Sequence, residues 1–194
     1  MRKIGVLALQ GAFAEHIFRL ESLGVEAVPV RLPEELGELD GLIIPGGEST
    51  TIGKMMQAYK LNGPLQRLIG DGLPVLGTCA GMILLASRVT GVDGYSLGVM
   101  DIGVRRNAFG RQVDSFEADL DIPVLGQSPF PAVFIRAPWI ENAGPEVEIM
   151  ARLDDSTPVA AQSGNLVAVA FHPELTPDTR MHAYFLDIVE KRKR

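Results

Sequence analysis

Through the first half of this chain, short apolar runs cut off by glycine alternate with stretches of helical periodicity. Ile4–Leu9 is a β-rich run ending at Gln10-Gly11. Behind it, Phe13, Ile17, Leu20 and Leu23 recur at steps of four, three and three, with Gly24 placed for a left-handed cap. Val25–Val30 reads as a strand, Pro33–Glu38 as a helical turn, and Gly41–Ile44 as a buried strand that breaks at Pro45-Gly46-Gly47. Two further helix faces follow, one of Ile52, Met55, Met56 and Tyr59 and one of Leu65, Leu68 and Ile69. Then come a strand, Pro74–Leu76, and a helix, Ala80–Ser87.

Strands alternating with helices imply an α/β fold whose mostly parallel sheet is flanked by helices through right-handed crossovers. Ligands of such sheets collect at the carboxyl ends of the strands. Three of those ends carry the least ordinary residues: Gln10-Gly11, Gly46-Gly47-Glu48-Ser49 and Gly77-Thr78-Cys79-Ala80-Gly81. The second half is richer in strands, over Ala132–Ile135, Val147–Arg152, Val159–Gln162 and Leu166–Phe171. We read it as an extension of the same sheet. A last helix presents Met181, Phe185, Ile188 and Val189. No repeat or long linker divides residues 1–194, so a single domain is expected.

Composition narrows the function. Eighteen basic and 24 acidic residues leave a net charge of −6, which removes general attraction to nucleic-acid phosphates. The basic ending Lys191–Arg194 reads as a solvated helix terminus, with a nucleic-acid or membrane patch as the alternative. A single cysteine permits no internal disulfide and no multi-cysteine zinc site. The apolar run Ile4–Leu9 is too short for a secretory core, and no stretch spans a membrane, so a cytoplasmic protein is expected.

Cys79 follows a buried strand and opens a helix. Glycines two before and two after it permit the sharp turn of a nucleophile elbow, and a helix start activates a thiol and offers amides to an oxyanion. The alternative is a small buried hydrophobe. His172-Pro173-Glu174 follows the strand-like run Val167–Phe171. Residues two apart in extended chain share a face, so Glu174 can reach back to the ring and fix its tautomer. His16 and His182 lack that setting and read as solvated or packed. In Pro45–Thr51 the glycines let amides approach a ligand, and Ser49, Thr50 or Thr51 can cap the next helix. The lysine spacing of a P-loop is absent, since Lys54 follows at the wrong position.

These segments together resemble a known family. Gly77-Thr78-Cys79-Ala80-Gly81-Met82 with His172-Pro173-Glu174 is similar to the triad of class I glutamine amidotransferases. Leu9–Ala12 with Glu15-His16, Pro45–Thr51, Arg106–Gln112, Ser115–Glu117 and Phe134–Pro138 resemble the glutaminase subunits of pyridoxal 5′-phosphate synthase.

The resemblance implies a three-layer, flavodoxin-like fold and hydrolysis of L-glutamine to L-glutamate and ammonia, with no cofactor or metal. The ammonia would pass to the synthase (lyase) subunit within a large hetero-oligomer. It further implies Cys79 as nucleophile, His172 as acid and base, and Glu174 as its orienting carboxylate. Gly47, Glu48, Ser49, Arg106, Ile135 and Arg136 would contact glutamine, and the amides of Gly46, Gly47 and Ala80 would face the oxyanion. The Gly46-Gly47 peptide can reorient at little steric cost, which suggests activity gated by the partner, with Gln10–His16 at one edge of the docking surface. Another amidotransferase glutaminase, a cysteine peptidase of similar fold, and a scaffold whose cysteine is merely core stay open as alternatives.

Overall fold

The computed structural model describes residues 2–91, 95–106 and 115–192. Asn107–Gln112 and the last two basic residues therefore lie outside the described residues. In chain order come β1 (Lys3–Leu7), α1 (Phe13–Ser22), β2 (Glu26–Val30), β3 (Gly41–Ile44), α2 (Ser49–Ala58), α3 (Asn62–Gly70), β4 (Val75–Thr78) and α4 (Ala80–Leu85). They are followed by β5 (Ala86–Thr90), β6 (Met100–Arg105), β7 (Ser115–Leu120), β8 (Phe130–Ile135), β9 (Trp139–Ala143), β10 (Glu148–Arg152), β11 (Pro158–Ser163), β12 (Leu166–Val169) and α5 (Arg180–Arg192).

A seven-stranded sheet in the order β10-β11-β12-β4-β3-β1-β2 forms the centre. Its five strands from β12 to β2 run parallel, while β10 and β11 pair antiparallel at one edge. The inner strands β3, β4 and β12 are buried along their whole length, as continuous apolar runs between helical layers should be. No helix among the described residues is long and apolar enough to cross a membrane.

The strand-rich second half only partly extends this sheet. β5, β6 and β9 form a three-stranded sheet of their own, and β7 pairs with β8 separately. The expected helix Ala80–Ser87 is also shorter. It ends at Leu85, and from Ala86 the chain runs alongside Met100–Arg105 as β5. Sheet pairing to a distant segment overrides the helical propensity of Ala86 and Ser87.

The separate β7–β8 pair is fixed to the main sheet by aromatic packing. Phe116 stacks on Phe134 at 4.7 Å, Phe134 meets Phe171 edge-on at 5.8 Å, and Phe130 lies 5.6 Å from Phe171. Phe171 follows β12, and the next residue, His172, donates its backbone N–H to Val133 O at 2.8 Å. The aromatic row thus positions β8 over the carboxyl end of the central sheet.

Candidate active site

The ends of β1, β3, β4 and β12, four neighbours in the sheet, deliver Gln10, Gly47, Cys79 and His172 to one cavity of about 270 Å³. That is near the lower end of ligand-sized pockets, roughly 300–1,000 Å³. The short sheets add the other wall: Arg106 comes just after β6, and Ile135 and Arg136 come from the end of β8. Glu48, Ser49, Ala80 and Ile83 complete the lining.

Cys79 occupies a φ of +50° and ψ of −103°. Such backbone costs about 1–3 kcal/mol and persists only where the surroundings enforce it. They do so through close approach. A Cβ on Gly81 would lie 2.0 Å from Ile44 O, and one on Gly77 would lie 2.7 Å from the Gly81 backbone. Cys79 N–H also bonds Val169 O on the adjacent strand at 2.8 Å. The residue is 7% exposed, at the cavity wall, and its thiol faces Ile135 O at 3.8 Å.

His172 and Cys79 flank Gly46. A Cβ there would stand 2.4 Å from His172 Cε1 and 3.3 Å from Cys79 Cβ. His172 Nδ1 lies 2.7 Å from Glu174 Oε1, so a ring proton at Nδ1 donates to the carboxylate and Nε2 is left for the cavity side. Nε2 has no aligned hydrogen-bond partner among the described residues. Burial lowers the ring's pKa, but the Cys79 sulfur and the Glu174 carboxylate outweigh it and bring it up to about 10. The ring is held as an imidazolium at neutral pH.

The chain between His172 and Glu174 is not extended, as the sequence reading had it. Pro173–Leu175 forms a turn of 3₁₀ helix, with Leu175 N–H returning to His172 O at 3.2 Å. Proline suits the first position, where a missing N–H costs nothing. The turn, not an extended strand, brings the Glu174 carboxylate to the Nδ1 edge of the ring.

His16 and His182, expected solvated or packed, are both fully buried. His16 reaches the triad, standing 3.2 Å from Glu174 Oε2, a contact that the Glu15-His16 segment of the family resemblance did not by itself disclose. Beyond that segment, the sequence signal is phase. His16 falls four residues before Leu20 on the inner face of α1, and His182 falls three before Phe185 on that of α5.

Of the residues expected around glutamine, Gly47, Glu48, Ser49, Arg106, Ile135 and Arg136 all line the cavity. Gln10 and Ile83 join them without having been assigned there. Arg106 already has partners, with Nη2 3.1 Å from Glu48 Oε1 and Nη1 3.0 Å from Thr50 Oγ1. Glu48 itself, rather than Ser49, Thr50 or Thr51, is the N-cap of α2. Its carboxylate accepts from Thr50 N–H at 3.0 Å and Thr51 N–H at 2.7 Å. Burial raises its pKa, but bonds from Thr51 and Thr50 prevail and lower it to about 2.

One expected oxyanion donor is corrected. Gly46 N–H donates to Thr78 Oγ1 at 3.1 Å, and Gly46 O accepts from Ala12 N–H at 3.2 Å. Both polar groups of Gly46 are thus directed away from the cavity, which it does not line. The approach is tight: a Cβ on Gly11, at φ +101°, would lie 1.8 Å from Gly46 O. Gly47 and Ala80 do line the cavity, and Ala80 opens α4, where an N–H has no partner within the helix. Among the described residues, no cluster of metal-ligating side chains comes together.

A model of the SNO glutamine amidotransferase family matches residues 6–191. The pyridoxal 5′-phosphate synthase subunit PdxT of Moorella thermoacetica is 58% identical over 187 residues, covering 96% of this chain and 99% of the relative. Its counterpart from Pelotomaculum thermopropionicum is 60% identical over 185 residues, covering 95% and 94%. A crystal structure described as a glutamine amidotransferase superposes with a TM-score of 0.92 at 49% identity, over 96% of this chain and 98% of the other. PurLQS from Thermotoga maritima shares the fold, with a TM-score of 0.70 at 15% identity over 96% of this chain and 98% of that one.

Proposed function

Because this chain belongs to the SNO glutamine amidotransferase family, we propose that it hydrolyses L-glutamine to L-glutamate and ammonia through a thioester on Cys79. The ammonia goes to the synthase subunit of pyridoxal 5′-phosphate synthase, in a hetero-oligomer acting in the cytoplasm. The observation that carries this reading is the convergence on one small cavity of a strained cysteine and an imidazole backed by a buried carboxylate.

The steps follow from the groups present. The Cys79 thiolate adds to the side-chain carboxamide carbon, and the amides of Gly47 and Ala80 receive the developing oxyanion. The His172 imidazolium gives its Nε2 proton to the leaving nitrogen, so ammonia departs and a glutamyl thioester remains. His172 then takes a proton from water, whose oxygen attacks the thioester. The adduct collapses, glutamate leaves, and the Cys79 thiolate is restored beside the reprotonated His172. Glu174 keeps Nδ1 protonated throughout, so that Nε2 does the exchanging. Arg106 and Arg136 suit the α-carboxylate of the substrate because a planar guanidinium meets a carboxylate through two bonds. Arg106 would exchange part of its contact with Glu48 and Thr50 for that ligand.

The test is ammonia release from glutamine by the wild type and by Cys79→Ala, with and without the synthase subunit. Ammonia that requires Cys79 supports the reading. Undiminished release by Cys79→Ala, or wild-type cleavage of peptides in place of glutamine, overturns it.

A further inference from the structure

Glu174 is the most enclosed member of the triad, its side chain wholly buried. One carboxylate oxygen is engaged by His172, at 2.7 Å. The other, Oε2, has no aligned hydrogen-bond donor among the described residues, yet His16 Nε2 stands 3.2 Å away. The same nitrogen lies 3.2 Å from Thr78 Oγ1, along the straighter path. On its far side His16 Nδ1 is 3.0 Å from His182 Nε2. We propose that His16 is a positioning residue for the Glu174 carboxylate, held by His182 in the tautomer that donates toward it.

Proton counting selects that tautomer. Burial, then the nearby His182 and His172, hold the His16 pKa well below 6.5, so the ring is neutral and has one N–H. Were that proton on Nδ1, it would point at His182, and the bare Nε2 lone pair would face the lone pairs of Glu174 Oε2 at 3.2 Å. His182 would then present its own N–H at Nδ1, a buried atom with no partner. The reverse arrangement removes both faults. His182 Nε2–H donates to His16 Nδ1, and His16 Nε2–H is shared between Thr78 Oγ1 and Glu174 Oε2. The orphan left at His182 Nδ1 is then an acceptor rather than a donor, the milder of the two defects.

The row joins parts of the fold that share no local sequence. His16 lies on α1 and His182 on α5. Thr78 sits directly before the nucleophile, and its hydroxyl also receives Gly46 N–H at 3.1 Å. Arg19, one turn after His16, donates to Glu174 O at 3.2 Å and fixes the backbone of the same residue. With its second oxygen steadied, the carboxylate cannot swing from the His172 ring, and the imidazolium keeps the partner that maintains its proton.

This inference rests on the glutaminase reading for its kinetic arm alone. The experiment uses the full chain with its synthase subunit and glutamine. In His16→Leu, kcat falls while KM holds, and the alkaline limb of kcat/KM moves to lower pH by about one unit, because a loosened carboxylate supports the imidazolium less. In His16→Gln, whose amide N–H reaches about as far as Nε2–H, the limb returns. A lesion confined to folding would scale the profile without moving it. A limb that stays put in folded His16→Leu, or one that His16→Gln fails to restore, overturns the proposal. A second measurement needs neither a variant nor turnover. The three histidines of the wild type are few enough to assign by nitrogen NMR, and His16 and His182 should both carry the proton on Nε2. A proton on Nδ1 of His16 refutes the inference and leaves the glutaminase reading intact.

Discussion

Acid should weaken this fold through a histidine far from the solvent. His182 is fully buried; burial first, then Arg19, lowers its pKa to about 4. An unfolded chain takes up that proton near pH 6.5, whereas the native ring resists it until about pH 4. The stability this represents is complete above the unfolded value and is lost as pH falls toward the folded one. At about 1.4 kcal/mol per pH unit the whole effect is about 3 kcal/mol, and about 2 kcal/mol of it is gone by about pH 5. His16 adds in the same direction, while His172, with its raised pKa, opposes. The comparison is therefore between wild type and His182→Gln, which keep both of those rings. Urea unfolding at about pH 7.5 and about pH 5 should show the wild type losing about 2 kcal/mol more than the variant across that interval. Parallel stability curves would refute the reasoning, because the ring would then be titrating as it does in water.

Three other outcomes are expected. Gly81→Ala, whose Cβ would meet Ile44 O at 2.0 Å, should destabilise by several kcal/mol or fail to fold, as denaturant titration will show. Arg136→Ala should raise KM for glutamine by about ten-fold or more with its melting temperature little changed, if a charged hydrogen bond worth roughly 1.5–3 kcal/mol is lost. The isolated chain should release ammonia more slowly than the chain with its synthase subunit, since Gly46 O is fastened to Ala12 N–H and Glu48 N–H to Gln10 Oε1 at 2.7 Å. Equal rates would show that no rearrangement of this turn is needed.

The sequence was most informative where local chemistry alone decides structure. Glycines flanking Cys79 announced the turn because only a residue without Cβ fits against Ile44 O. The strand ends were legible because apolar runs stop where polar and glycine residues begin. Sheet membership was not legible. Nothing within Met100–Arg105 or Phe130–Ile135 says which strand it will pair with, and these short segments left the main sheet to bring Arg106 and Arg136 to the cavity. Side-chain direction escaped in the same way. Glu48 caps α2 in place of its hydroxyl neighbours because its longer carboxylate reaches two amides at once. The meeting of His16 with His182 escaped because it is made by tertiary structure, which brings α1 and α5 together.

The most direct measurement is mass spectrometry of the chain quenched in acid during turnover of glutamine with the synthase subunit present. A glutamyl group bound as a thioester to Cys79, absent from Cys79→Ala and formed far more slowly in His172→Asn, is the predicted result. Sustained ammonia production with no acyl group on Cys79, or with one on a different residue, would contradict it.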